Sequence, residues 1–219
     1  MNQDSKASVT QRQFSRWAGV YDSLLFRIYF APLYKKLRHI FSEKQEIYFR
    51  DGTKFLDIAC GTAEMIFQLA QAFPRVEFIG TDFAPGMIVQ AREKTKGLKN
   101  VTIVEASSVN LPFPSQMFDV ILCSEAFHHF YEPQKALSEI HRVGKPNALF
   151  VLMDPAFDSM LEKIIFGFFA RLIENYHKIY SGREMKVLLE QSGFAVESVL
   201  NYFLNNFFVS RKKSDYGYH

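Results

Sequence analysis

The sequence predicts an α/β fold: a seven-stranded, mostly parallel sheet with helices on both faces, an antiparallel C-terminal strand and an N-terminal helical lid. Two observations carry this. Between Lys54 and Asp154, short runs rich in Val, Ile, Leu and Phe alternate with helical patterns. Runs that are apolar throughout suit strands buried on both faces, and serial βα units demand a parallel sheet. The last two apolar runs follow one another too closely for a crossover, so they pair antiparallel.

The elements follow in order. Residues 1–10 are polar and belong to a frayed terminus. From Gln11 to Phe49 the pattern is helical, with Phe14, Trp17, Ala18, Tyr21 and Leu25 three or four residues apart, and Pro32 breaks it into at least two helices. Lys54–Ala59 is the first strand, and the helix Glu64–Phe73 stops before Pro74. Val76–Asp82 is the second strand. Its helix starts at Pro85, where a first-turn proline costs no hydrogen bond, and runs to Lys96. Val101–Ala106 and Phe118–Glu125 are strands, Pro133–Val143 a helix and Ala148–Asp154 a fifth strand. An apolar insertion, Pro155–Tyr180, precedes a helix at Gly182–Ser192 that Gly193 can cap. Ala195–Phe203 and Phe207–Lys212 close the sheet. Residues 1–50 thus form the lid segment, 51–213 the main domain with its 155–180 insertion, and 214–219 a tail.

Composition bounds the function. The 219 residues fit one domain and bury enough core to need no disulfide or metal. Net charge is +3, with small basic clusters at Lys35, Lys36 and Arg38 and at Arg211, Lys212 and Lys213, far short of a nucleic-acid stripe. Cys60 and Cys123 form no metal-spaced pair, so no metal is expected. The polar N-terminus lacks a signal-peptide core. Ile164–Ala170 is far shorter than the roughly 20 residues of a membrane span. A cytoplasmic location is expected, with peripheral membrane contact and oligomeric state left open. The 23 phenylalanines suit an aromatic core or an apolar pocket.

Ligands of open α/β sheets bind at the carboxyl ends of the strands. The first strand ends Asp57-Ile58-Ala59-Cys60-Gly61-Thr62-Ala63-Glu64. A dinucleotide loop needs G-x-G-x-x-G, and here those positions hold Ala59, Gly61 and Glu64. Glu64 and Asp57 would repel a pyrophosphate, and no P-loop lysine follows. The same residues suit a nucleoside that carries positive charge and no phosphate, such as S-adenosylmethionine. Asp82 ends the second strand and can accept from both ribose hydroxyls; the competing reading is a cap on the following helix, and one carboxylate has few lone pairs for both.

Five segments in order then carry a resemblance: FLDIACGTAEM (Phe55–Met65), FIGTDFAPGMIVQAREK (Phe78–Lys94), LPFPSQMFDVILCSEAFHHF (Leu111–Phe130), ALSEIHRVGKPNALFVLMDP (Ala136–Pro155) and LLEQSGF (Leu188–Phe194). From Phe14 to Lys212 the chain resembles class I S-adenosylmethionine-dependent methyltransferases with a Rossmann-like fold, in particular the ubiquinone/menaquinone-biosynthesis type. The resemblance implies Asp57, Ala59, Gly61 and Thr62 at the methionine end and Asp82 at the ribose. It implies Phe83 and Met87 flanking the adenine, and Ser107, Ser108 and Val109 at its edge. Ser124 and Glu125 fall beneath the methyl group, and Tyr21 in the Trp17–Asp22 motif folds over the cofactor. Ala63, Ser107 and Asn147 depart from the usual pattern, and a serine accepts more weakly than an aspartate, so weakened cofactor affinity is expected.

Methyl transfer from a sulfonium needs alignment more than a fixed catalytic group. His128 and Tyr21 are the catalytic candidates, although a structural role outranks the catalytic one for His128 and more so for His129, which therefore ranks below it. The expected acceptor is a small apolar or aromatic molecule or a lipid headgroup. Rival readings are a tRNA or protein methyltransferase, which +3 does not favour, and a non-catalytic binding or partner protein. An NAD-dependent oxidoreductase is disfavoured by Glu64.

Overall fold

The structure, a computed structural model, describes residues 11–16, 18, 24–156, 177–202 and 204–213. Residues 11–16 are helical. The following elements are α1 (Leu24–Glu43), α2 (Gln45–Tyr48), β1 (Lys54–Ile58), α3 (Glu64–Ala72), β2 (Glu77–Asp82), α4 (Pro85–Lys94), β3 (Val101–Glu105), β4 (Phe118–Ser124), a 3-10 turn (Phe127–His129), α5 (Pro133–Val143), β5 (Gly144–Pro155), α6 (Gly182–Gln191), β6 (Phe194–Tyr202) and β7 (Asn205–Lys212).

The sheet order is β3-β2-β1-β4-β5-β7-β6. Strands β1 to β5 pair in parallel, and β7 runs antiparallel between β5 and β6. The order reverses between β1 and β4, which opens a crevice at their carboxyl ends.

Strand alternation divides the core into two layers. Phe55, Phe78, Val120, Leu122 and Val151 face one side, against Ile66 and Leu69 of α3 and Ile88 and Ala91 of α4. Leu56, Ile121, Phe150 and Leu152 face the other, against Leu137 and Ile140 of α5 and Leu188 and Leu189 of α6. Asp57 shares the Phe55 face of β1; Asp154 shares the Leu152 face of β5.

One expectation is corrected. Pro32 lies inside α1 and does not split it. The proline forgoes one backbone hydrogen bond, but Leu33, Leu37, Ile40 and Phe41 beside it are buried in the first core layer. Each large apolar side chain so buried contributes roughly 1.5–3 kcal/mol, enough together to outweigh the lost bond and the ring clash. The fifth strand also starts four residues earlier than expected, at Gly144, with a register shift between Phe118 and Val120 and Asn147 at φ +62°. α6 begins with a reciprocal cap: Ser181 Oγ accepts from Glu184 N, and Ser181 N donates to Glu184 Oε2. Among the described residues, no helix is long and apolar enough to cross a membrane.

Candidate functional site

Four strands deliver their carboxyl ends to one cavity. β1 contributes Ala59, Cys60 and Gly61; β2 contributes Asp82 and Phe83; the segment after β3 contributes Ser107, Ser108 and Val109; β4 ends in Ser124 and Glu125. Met87 of α4 completes that wall. Each of these except Cys60 was expected from sequence.

The backbone turns sharply to make this floor. Ala59 (φ +56°), Ala63 (φ +59°) and Glu125 (φ +52°) are all left-handed, a conformation costing an L-residue roughly 1–2 kcal/mol. Surrounding hydrogen bonds hold them there: Cys60 N donates to Thr81 O at 2.8 Å, Ala63 N to Cys60 O at 2.9 Å and Glu125 N to Met153 O at 2.8 Å.

Asp82 is buried and fixes the loops on both sides of it. Its Oδ2 accepts from Gly61 N at 3.0 Å and its Oδ1 from Ala84 N at 2.8 Å. The second bond is an Asx turn leading into α4. Each Asp82 oxygen keeps a lone pair beyond its N–H partner, so holding these loops does not use up the carboxylate. Burial pushes the Asp82 pKa up to about 6, against the lowering effect of these N–H groups.

Asp57 and Thr62 lie beneath the wall rather than on it. Asp57 is buried, its Oδ1 has no hydrogen-bond partner among the described residues, and its pKa stands well above the usual carboxylate range through desolvation and then the charge of Asp82. Thr62 Oγ1 accepts from Lys94 Nζ at 3.0 Å. The same ammonium meets Glu64 Oε2 at 2.8 Å, so Glu64 is neutralised from α4 and does not supply the repulsion expected of it. The negative potential at this edge comes from Asp82, and Asp57 beneath it adds to that only when it ionises against burial and the Asp82 charge. That pair fits a phosphate-free cationic nucleoside.

The opposite wall was mostly missed by sequence. Phe14 from residues 11–16, Tyr34 from α1, and His129, Phe130, Tyr131 and Glu132 after β4 line it. His128, for which a structural role outranks the catalytic one in the sequence, is off the cavity and buried against Asp154. Tyr21 lies outside the described residues, as do residues 157–176 of the insertion. Burial first, then Asp57 and Asp82, push the Cys60 thiol up, which removes it as a nucleophile. No group of three metal-ligating side chains occurs among the described residues.

Residues 49–200 match the methyltransferase-domain family. The chain belongs to that family. It is a class I S-adenosylmethionine-dependent methyltransferase, with S-adenosylmethionine as its cofactor. This methyltransferase is 28% identical over 187 residues to the demethylmenaquinone methyltransferase of Anoxybacillus flavithermus, spanning 82% of the chain and 76% of that relative. It is 31% identical over 166 residues to the demethylmenaquinone methyltransferase of Staphylococcus aureus, spanning 66% and 69%. In fold it matches a SAM dependent methyltransferase from Aquifex aeolicus with a TM-score of 0.60 at 22% identity, over 81% of this chain and 97% of that one.

Proposed function

We propose that this methyltransferase transfers a methyl group to a small aromatic acceptor of the reduced-quinone class. The carrying observation is the division of its cavity. Asp82 and the polar segment after β3 lie on one side of β1, the rings of His129, Phe130 and Tyr131 line the side beyond β4, and Phe14 spans the two, packed with Met87 and against the His129 ring. A flat apolar ring fits the second wall, and the relatives' names support a quinone-related acceptor.

Bound S-adenosylmethionine supplies an activated methyl group. On this reading Asp82 accepts from the ribose hydroxyls, and Phe83 and Met87 flank the adenine. Ser107, Ser108 and Val109 meet its edge, and the strand end at Gly61, Ser124 and Glu125 takes the methionine part. The aromatic wall excludes water and aligns the acceptor. A polynucleotide acceptor is disfavoured further by the surface. Arg211 pairs with Glu197 at 2.6 Å and Lys212 is buried on Gly144 O, so two of the three cations in the C-terminal basic cluster are already engaged. The test is methylation of 1,4-naphthohydroquinone with labelled cofactor, read by mass spectrometry. Turnover there and none on glycine or sarcosine is expected; the reverse preference would overturn the reading.

The lid role of residues 1–50 belongs to the same proposal. Residues 11–16 lie on the start of α4: Gln11 Nε2 donates to Phe83 O at 2.6 Å and Gly86 N to Ser15 Oγ at 3.3 Å. A Cβ on Gly86 would sit 2.5 Å from Ser15 O and 2.7 Å from Ser15 Cα, so the segment must move to admit it. Gly86→Ala should therefore weaken S-adenosylhomocysteine binding by about tenfold, near 1.4 kcal/mol. Helix propensity improves by about 1 kcal/mol at the same site, so Tm should hold or rise. Unchanged Kd would remove the lid from cofactor binding. Deleting 1–50 could not make this distinction, since it also removes Leu33, Leu37, Ile40 and Phe41 from the core.

A further inference from the structure

We propose that His129 is the group that takes the proton from the acceptor, with Asp154 and His128 as its positioning residues; this rests on the aromatic-acceptor reading above. The turn after β4 is fixed from several sides. Phe127 N donates to Asp154 Oδ1 at 3.1 Å, and His128 Nδ1 lies 3.0 Å from the same oxygen. The side chains of His128 and Asp154 are only 3% and 2% exposed. A carboxylate oxygen only accepts, which puts the hydrogen on His128 Nδ1. His128 O accepts from the N–H groups of His177 and Lys178 at 2.9 and 3.1 Å, and His129 N donates to Ala126 O at 3.0 Å.

One residue beyond this anchor, the imidazole of His129 reaches the cavity wall. Its ring centroid is 4.0 Å from that of His128 and 4.8 Å from that of Phe14, which meets it edge-on. The other titratable groups on the cavity among the described residues are Tyr34, Cys60, Asp82, Glu125, Tyr131 and Glu132, and behind His129 stand His128 and Asp154. An imidazole, with an ordinary pKa of about 6.5, suits proton removal near neutral pH better than a carboxylate of about 4.3.

The step balances. A phenolic hydroxyl of the acceptor gives its proton to His129. The electron pair released forms the bond to the methyl carbon, through oxygen or a conjugated ring carbon, and the carbon–sulfur bond breaks with its pair left on sulfur. Attack through carbon leaves a ring hydrogen that moves to the oxygen and restores aromaticity. Either route gives His129 one proton to release to solvent.

The experiment follows initial rates on 1,4-naphthohydroquinone from about pH 5.5 to 9, bracketing histidine titration. His129→Asn should lower kcat/KM by about 10²–10⁴-fold at neutral pH and abolish the acid limb of the profile. Its residual rate should climb with pH as the acceptor ionises unaided, while S-adenosylhomocysteine Kd and Tm stay near wild type. Asp154→Asn should lower kcat and move the acid limb to lower pH, because the negative charge that favours the imidazolium is gone; a merely structural role would leave the limb in place. Retention of the limb in His129→Asn, or its loss in Glu125→Gln or Glu132→Gln, would overturn the assignment. Should wild type ignore the naphthohydroquinone, the acceptor reading fails, and diethyl pyrocarbonate labelling still decides the geometry. His129 should be carbethoxylated, more slowly with S-adenosylhomocysteine present, and His128 should not; an unlabelled His129 would overturn the proposal.

Discussion

Replacing Asp82 with alanine is expected to weaken S-adenosylhomocysteine binding by about 10²–10³-fold, because the proposed pose gives it two charge-assisted bonds to the ribose at about 1.5–2 kcal/mol each, which would disappear together. The substitution also frees Gly61 N and Ala84 N, which Asp82 now holds at 3.0 and 2.8 Å. The conservative Asp82→Asn variant separates the charge from the shape, and pH separates it again. Burial has raised the Asp82 pKa from 3.8 to about 6 in the free protein, and the ribose hydroxyls and the ligand's ammonium prefer the carboxylate. Below pH 6 binding must therefore expel a proton, and wild-type affinity should fall by up to about tenfold per pH unit. Above about pH 7 this group should contribute no further change. Asp82→Asn should be weak and lose the part of this slope that wild type shows around pH 6 in calorimetric titration. A wild-type Kd that is flat through pH 6, or a mutant as tight as wild type, would show that Asp82 only shapes the loops.

The strand ends were legible because chemistry and periodicity coincide there. A buried parallel strand must be apolar, so an aspartate at its end, as at Asp57 and Asp82, stands out against the run. What lies across the cavity leaves no such trace. The spacing of Phe14 and Ala18 predicts a helical face but not the surface it covers, and Phe14 meets His129 some 115 residues away in sequence (129 − 14). Sequence ranks His128 above His129, yet the 3-10 turn Phe127–His129, which Asp154 fixes, puts His129 on the cavity, and no local pattern encodes that turn. Glu64 misled for a related reason: its charge is cancelled by Lys94, one helix further on. Pro32 misled because local propensity was outweighed by tertiary burial of its neighbours in α1.

Asp57→Asn should stabilise the free protein and weaken the cofactor complex at once. Asp57 is buried, no lysine or arginine among the described residues pairs with it, and desolvation followed by the Asp82 charge holds its pKa well above 3.8. The two carboxylates titrate in sequence, Asp82 first, so Asp57 is the one that meets an existing negative charge. A carboxyl whose folded pKa is raised favours the fold below its unfolded pKa, and that advantage is lost as pH rises from about 4 through the folded value. The loss grows as pH is raised toward 8. The uncharged, nearly isosteric amide avoids the loss, so Asp57→Asn should gain about 1–2 kcal/mol at that pH, or about 2–8 °C in Tm for a chain of this size. The gain should shrink toward pH 4. Binding should move the other way. The ligand's ammonium favours an ionised Asp57, so wherever the free carboxyl is protonated wild type should release a proton from it on binding, visible as a dependence of the calorimetric enthalpy on buffer ionisation. Asp57→Asn should bind about tenfold more weakly and keep only the release that Asp82 contributes below about pH 6. A variant that loses Tm at pH 8 while keeping wild-type affinity would mean that Asp57 is a packing residue, and the electrostatic account of this strand end would fail with it.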